Sequence, residues 1–158
     1  APKAGARSNV IVGFPGETET DVAELERFLT EARLDAVGVF GYSDEDGTEA
    51  AGLSGQHHED IVAERVARVS GLVEQLTAQR AEERVGDTVA VLVEDDGDET
   101  VGRAEHQAPE VDGECVFTGL GAESFTVGDL VRCQVLAARG VDLVVEPVEL
   151  IAPAGGLP

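Results

Sequence analysis

The stretch Val10–Glu19, VIVGFPGETE, constrains the fold of this chain more than any other. Val10–Val12 is a short apolar, β-branched run that suits a strand buried on both faces. Gly13-Phe14-Pro15-Gly16 ends it. Pro15 has no N–H to give a sheet ladder, and the glycines permit a sharp turn or a close approach of backbone to a ligand. Glu17, Thr18 and Glu19 then open a helix. In parallel sheets, strand ends that lead into helices are where ligands gather. The corner is not a phosphate loop, which needs Gly-Lys-Ser/Thr where Gly16-Glu17 stands, nor a dinucleotide fingerprint, which needs a third spaced glycine. A plain strand-to-helix turn accounts for the same residues.

Beyond the corner the pattern is helical. Val22, Leu25, Phe28, Leu29 and Ala32 recur at three- and four-residue spacing on one apolar face. Thr18 with Asp21 fits a capping box, and Glu17, Glu19 and Asp21 suit the positive end of the helix dipole. The helix should stop near Arg33 or Leu34. Ala36–Tyr42, small and apolar, reads as a second strand, which makes a right-handed βαβ unit with parallel strands. Two parallel strands leave both edges and most of both faces open, so they do not form a domain alone. Residues 8–42 therefore read as a piece of a larger barrel, and Ala1–Ser8 as the end of a preceding helix and loop. Ser43–Gly55 is an acidic loop. A long helix follows from about Glu59 to Arg84, with Ile61, Val62, Val66, Val69, Leu72, Val73 and Leu76 on its apolar face and Gly86 just past its end.

From Asp87 the period changes to two. Thr88–Glu94, Val101–His106, Glu114–Phe117, Leu130–Ala138 and Asp142–Val148 are short strands separated by loop-like stretches. Five strands in so short a segment indicate a small β-barrel of oligonucleotide-binding type. Residues 152–158 read as a disordered tail.

Charge limits the partners. The chain carries a net charge of −21, with 7 basic and 17 acidic side chains in residues 1–83 and 4 against 15 in residues 84–158. Nucleic-acid binding through phosphates calls for a basic face, and neither half offers one. Solubility explains such acidity, and so does a basic partner steered in by the field. No apolar run reaches the roughly 20 residues of a membrane helix. The N-terminal APKAGARSN lacks the apolar centre of a signal peptide, so the expected location is the cytoplasm.

The chemistry-bearing residues are sparse. Cys115 and Cys133 stand far apart without a CxxC pattern and read as buried reduced thiols. His57, His58 and His106 are not spaced as metal ligands and read as exposed. Glu94-Asp95-Asp96 is a solvated loop and not a catalytic dyad. No catalytic residue and no metal site is assigned.

The succession VIVGFPGETETD, VGVFGYSDEDGTEA, a long helix, and GRAEHQAPEVDGE within a small barrel resembles the radical methylthiotransferases, from Ser8 to about Leu150. Tyr42-Ser43 with Gly47-Thr48, and Ala108-Pro109-Glu110 with Asp112-Gly113, point to the branch that modifies an aspartate of a ribosomal protein. The resemblance implies an α+β chain. Residues 1–85 would form the C-terminal part of a radical S-adenosylmethionine (β/α) barrel, a βαβ unit plus a long helix. Residues 86–151 would form a five-stranded antiparallel β-barrel, the OB-like TRAM domain. It also implies S-adenosylmethionine and two 4Fe–4S clusters in the full-length protein, whose cysteine ligands this chain lacks, so the chain alone should be inactive. By the same resemblance, Ile11, Gly13, Phe14, Val39 and Tyr42 are the cofactor-binding candidates. Glu94, Asp95, Asp96, Glu110 and Asp112 are candidates for docking a basic small-subunit ribosomal protein, methylthiolated at the β-carbon of an aspartate. TRAM-like barrels usually bind RNA, which the acidity here disfavours. A tRNA methylthiotransferase and a non-enzymatic acidic binding module are the alternatives.

Overall fold

A computed structural model of the chain describes residues 5–108 and 112–155. It forms two compact units, one comprising Arg7–Leu76 and the other built from Thr77 onward.

The first unit contains β1 (Arg7–Val12), α1 (Glu19–Ala32), β2 (Ala36–Gly41) and most of α2 (Glu59–Glu82). The strands pair in parallel, Val10 opposite Val39 and Ile11 opposite Phe40. Arg7 and Ser8 pair with Ala36 and Val37, so they are strand residues and not the end of a helix and loop. Thr18 caps α1 with the expected box: its N–H donates to Asp21 Oδ2 at 2.8 Å, while Asp21 N–H donates to Thr18 Oγ1 at 3.4 Å. The helix ends at Arg33, which turns left-handed at φ 54°.

Side-chain alternation along the strands decides what is covered. Val12, Val22, Leu29, Val69 and Val73 form the core, with Val10, Val37 and Val39 packed against it. On the opposite face Ile11 is 58% and Phe40 54% exposed. The expected strand buried on both faces is thus buried on one. Phe28 and Ile61 are also exposed and do not join the helix faces assigned to them. At about 100° per residue, each sits at the margin of a stripe centred on Val22 and Leu29 in α1, or Val69 and Val73 in α2.

The second unit closes β3 (Thr88–Asp96), β4 (Thr100–Ala104), β5 (Cys115–Phe117), β6 (Leu130–Arg139) and β7 (Asp142–Ala152) into a barrel of order β3-β4-β5-β7-β6. Four neighbour pairs are antiparallel, and β5 with β7 is parallel. The barrel is therefore mixed and not wholly antiparallel. An odd number of strands cannot alternate direction all the way round a closed ring, so one parallel pair is unavoidable. Every second residue faces in: Val89, Val91 and Val93 from β3, Val131, Cys133 and Val135 from β6, Leu143 and Val145 from β7. Ala81 of α2 belongs to this core. The division between units accordingly falls within α2 and not at its end. Strand β7 continues through Ala152, and Ala154 N–H donates to Asp129 Oδ1 at 2.8 Å. The stretch assigned to a tail is held to the barrel at least that far.

Candidate functional site

The corner after β1 is built on two left-handed glycines, Gly13 at φ 79° and Gly16 at φ 85°. Glu17 N–H closes a turn onto Phe14 O at 2.9 Å, and Gly16 N–H donates to Gly55 O at 2.9 Å. Gly13 is doubly required: a Cβ there would also stand 2.7 Å from Val62 Cγ2 of α2. Its N–H donates to Glu17 Oε1 at 2.9 Å.

That carboxylate is fixed from behind by Arg65, a residue the sequence reading passed over. Arg65 Nη1 lies 2.7 Å from Glu17 Oε1, with side chains 7% and 13% exposed. Its Nη2 lies 2.8 Å from Glu19 Oε1, and Arg68 joins at 3.1 Å to Glu19 and 2.6 Å to Glu26. The hydrogen bond from Arg65, helped by Arg68, holds the Glu19 carboxyl below its ordinary range. The same Nη1 is 3.3 Å from His57 Nε2. His57 is therefore half-buried and partnered, not simply exposed, while His58 is exposed. A signal for Arg65 existed in the sequence. It lies four residues before Val69 and three after Val62, on the apolar face of α2, where a lone arginine calls for buried carboxylates.

Beside the corner, past the end of β2, lies an open cleft of about 860 Å³. Glu59, Val62, Ala63, Val66 and Ala67 of α2 line it, together with Tyr42, Ser43, Asp44, Gln56 and His57. Tyr42 N–H donates to Val12 O at 2.8 Å, which carries the sheet one residue further. The Tyr42 and Phe14 rings meet edge to face, 5.3 Å apart at 76°. Partial burial holds the Tyr42 phenol above its ordinary pKa, with Asp44 and Glu45 adding and a bond from Gln56 opposing.

The structure thus brings Gly13, Phe14 and Tyr42 together around one corner. Ile11 projects from the open face of the sheet, and Val39 packs on the covered face. A small ligand cannot touch both of those side chains.

The barrel's acidic candidates divide as well. Glu94 is paired with Arg103 at 2.6 Å. Asp95 accepts from Gly97 N–H at 2.8 Å and Asp96 from Val127 N–H at 3.4 Å, so they shape the barrel's loops while staying exposed. They belong to the end of β3 and not to a loop. Asp112 is only 8% exposed and accepts from Ala108 N–H at 2.8 Å, which leaves it little surface for a partner. Glu110 lies outside the described residues. A small cavity of about 230 Å³ adjoins Glu94, Arg103, Glu114 and Asp142.

Cys115 and Cys133 are buried in the barrel, and burial pushes both thiols up to about 12. Cys115 donates to Gln107 Oε1 at 3.2 Å. Among the described residues, no group of three or more His, Cys, Asp or Glu side chains is placed to hold a metal ion. No helix among them is long and apolar enough to cross a membrane.

Against known proteins, residues 85–148 match the family model described as the TRAM domain. A Saccharopolyspora erythraea protein named ribosomal protein uS12 methylthiotransferase RimO is 66% identical over 149 residues, 94% of this chain and 30% of that relative. Proteins of the same name from Streptomyces avermitilis and Salinispora arenicola are 66% identical over 150 residues and 58% over 163. They are matched over 94% and 99% of this chain, and over 30% and 32% of their own lengths. The chain spans about 30% of the length of the relatives it matches.

Proposed function

We propose that this chain, a relative of the uS12 methylthiotransferases that carries a TRAM domain, is part of an enzyme that places a methylthio group on the β-carbon of an aspartate in ribosomal protein uS12. The observation that carries this reading is the 66% identity to proteins of that name across 94% of the chain, corner and barrel alike.

Within that enzyme, the first unit serves as the closing portion of a radical S-adenosylmethionine barrel. The uncovered Ile11 and Phe40 face suits neighbouring strands that a longer protein would supply. S-adenosylmethionine, when bound there, supplies a carbon-centred radical. What this chain offers it is apolar contact from Ile11 and Phe14 and the Tyr42 ring packed against Phe14, at the carboxyl ends of parallel strands. Arg65 and Glu17 hold the corner in shape beneath that contact. The 4Fe–4S clusters do not fit these residues: such a cluster is held by a set of cysteine thiolates, and Cys115 and Cys133 are two side chains buried in the barrel core, with no group of three or more ligating side chains among the described residues.

The second unit serves as the docking module. The 15 carboxylates against 4 arginines of residues 84–158 favour a basic protein in the cytoplasm over RNA, because phosphates would be repelled. A tRNA substrate is the second reading, favoured by the TRAM domain itself. The test is mass spectrometry after incubating a full-length protein containing this segment with S-adenosylmethionine, a sulfur source, a reductant and either uS12 or tRNA. One methylthio group on a uS12 aspartate is the expected product. Modification of tRNA with uS12 left unchanged would replace the first reading with the second.

A further inference from the structure

The cleft beside Tyr42 combines carboxylates that lack an arginine partner with an apolar lining. Glu17, Glu19 and Glu26 are neutralised by Arg65 and Arg68, Glu94 by Arg103, and Glu149 by Arg132. At the cleft, Asp44 has only the Tyr42 hydroxyl at 3.4 Å, and neither it nor Glu59 pairs with an arginine among the described residues. Residues 42–64 hold seven carboxylates and no lysine or arginine. Of these, Asp44 and Glu59 line the cleft, together with an apolar floor of Val62 and Val66 from α2.

A floor of methyl groups that ends at unpaired carboxylates and a fixed aromatic ring matches one kind of side chain. The stem of arginine or lysine lies along apolar surface while its head seeks anions and the face of a ring. At about 860 Å³ the cleft holds a short peptide segment around such a residue. We infer that this cleft seats an arginine- or lysine-bearing segment of the basic protein that the chain docks. The inference rests on the uS12 reading above, and it adds an anchor beside the Gly13 corner to the docking surface proposed for the barrel, where Asp95 and Asp96 stay exposed.

The test is an amide NMR titration of the full chain with an acetylated, amidated Gly-Arg-Gly-Arg-Gly peptide, against its twin with citrulline for arginine. Saturating shifts at Tyr42, Asp44, Val62 and Val66 are expected with the arginine peptide and not with the citrulline twin. The double variant Asp44→Asn, Glu59→Gln, whose remaining spectrum reports an intact fold, should bind about tenfold more weakly. Shifts confined to the barrel, equal response to the citrulline twin, or unchanged affinity in the double variant would each overturn the cleft assignment. Binding of intact uS12 to the same proteins separates the two claims. If uS12 binds both wild type and double variant equally, the anchor is wrong and the partner stands. If uS12 binds neither while the arginine peptide fills the cleft, the partner reading fails and the cation site stands.

Discussion

Two side chains set the terms at the smallest scale. Arg65 is a buried cation whose loss strands the nearly buried Glu17 carboxylate. Arg65→Ala should destabilise the chain by about 3–5 kcal/mol, read from urea midpoints. Arg65→Met with Glu17→Gln should recover much of that, because no charge is then left unpaired. Recovery by Arg65→Met alone would mean the ion pair is not what holds the corner. Asp129 works on the barrel. Its carboxylate accepts from Thr126 and Ala154 N–H at 2.9 and 2.8 Å, and those bonds, Thr126 first, hold its pKa below the ordinary value. A lowered folded-state pKa stabilises above the unfolded value of about 3.9 and is lost as pH falls through the folded value. Asp129→Asn should therefore lower the melting temperature at neutral pH, with the gap to wild type closing in acid. A gap that persists at pH 2 would show that the charge of Asp129 is not the cause.

The elements were largely legible, for a physical reason. Period two from Val89 to Val93 and period 3.6 from Val22 to Leu29 each meet a single buried face, so hydrophobic spacing alone locates strand and helix. What spacing cannot see is partner choice. The parallel pairing of β5 with β7 follows from closing five strands, and no residue in Cys115–Phe117 announces it. The alternation predicts an end to β7 at Val148, yet the strand runs to Ala152 through Pro147, which sits opposite Cys133 beside a register irregularity. A proline is tolerated there because a bulge already leaves a ladder bond unmade. The corner was legible as a shape, while its grouping was not. Alternation sends Ile11 and Val39 to opposite faces, and only the βαβ register shows that Phe14 and Tyr42 meet. The barrel core can be tested directly: Leu143→Ala, at a residue 1% exposed, should cost about 2–5 kcal/mol by chemical denaturation. A loss well under 1 kcal/mol would contradict a tightly packed barrel.

For the molecule as a whole, 32 acidic against 11 basic side chains is a statement about who can approach. Opposite charge accelerates encounter and discourages wrong partners, and its pull weakens as salt shortens the Debye length. A phosphate polymer is repelled by the same field that draws a basic protein in. The most direct measurement is calorimetric titration of this chain with uS12 and, separately, with tRNA, from low to high salt. Saturable uS12 binding that weakens about tenfold or more between roughly 0.05 and 0.5 M salt, with none to tRNA, is the predicted result. No uS12 binding at low salt, or tRNA binding in its place, would contradict the account.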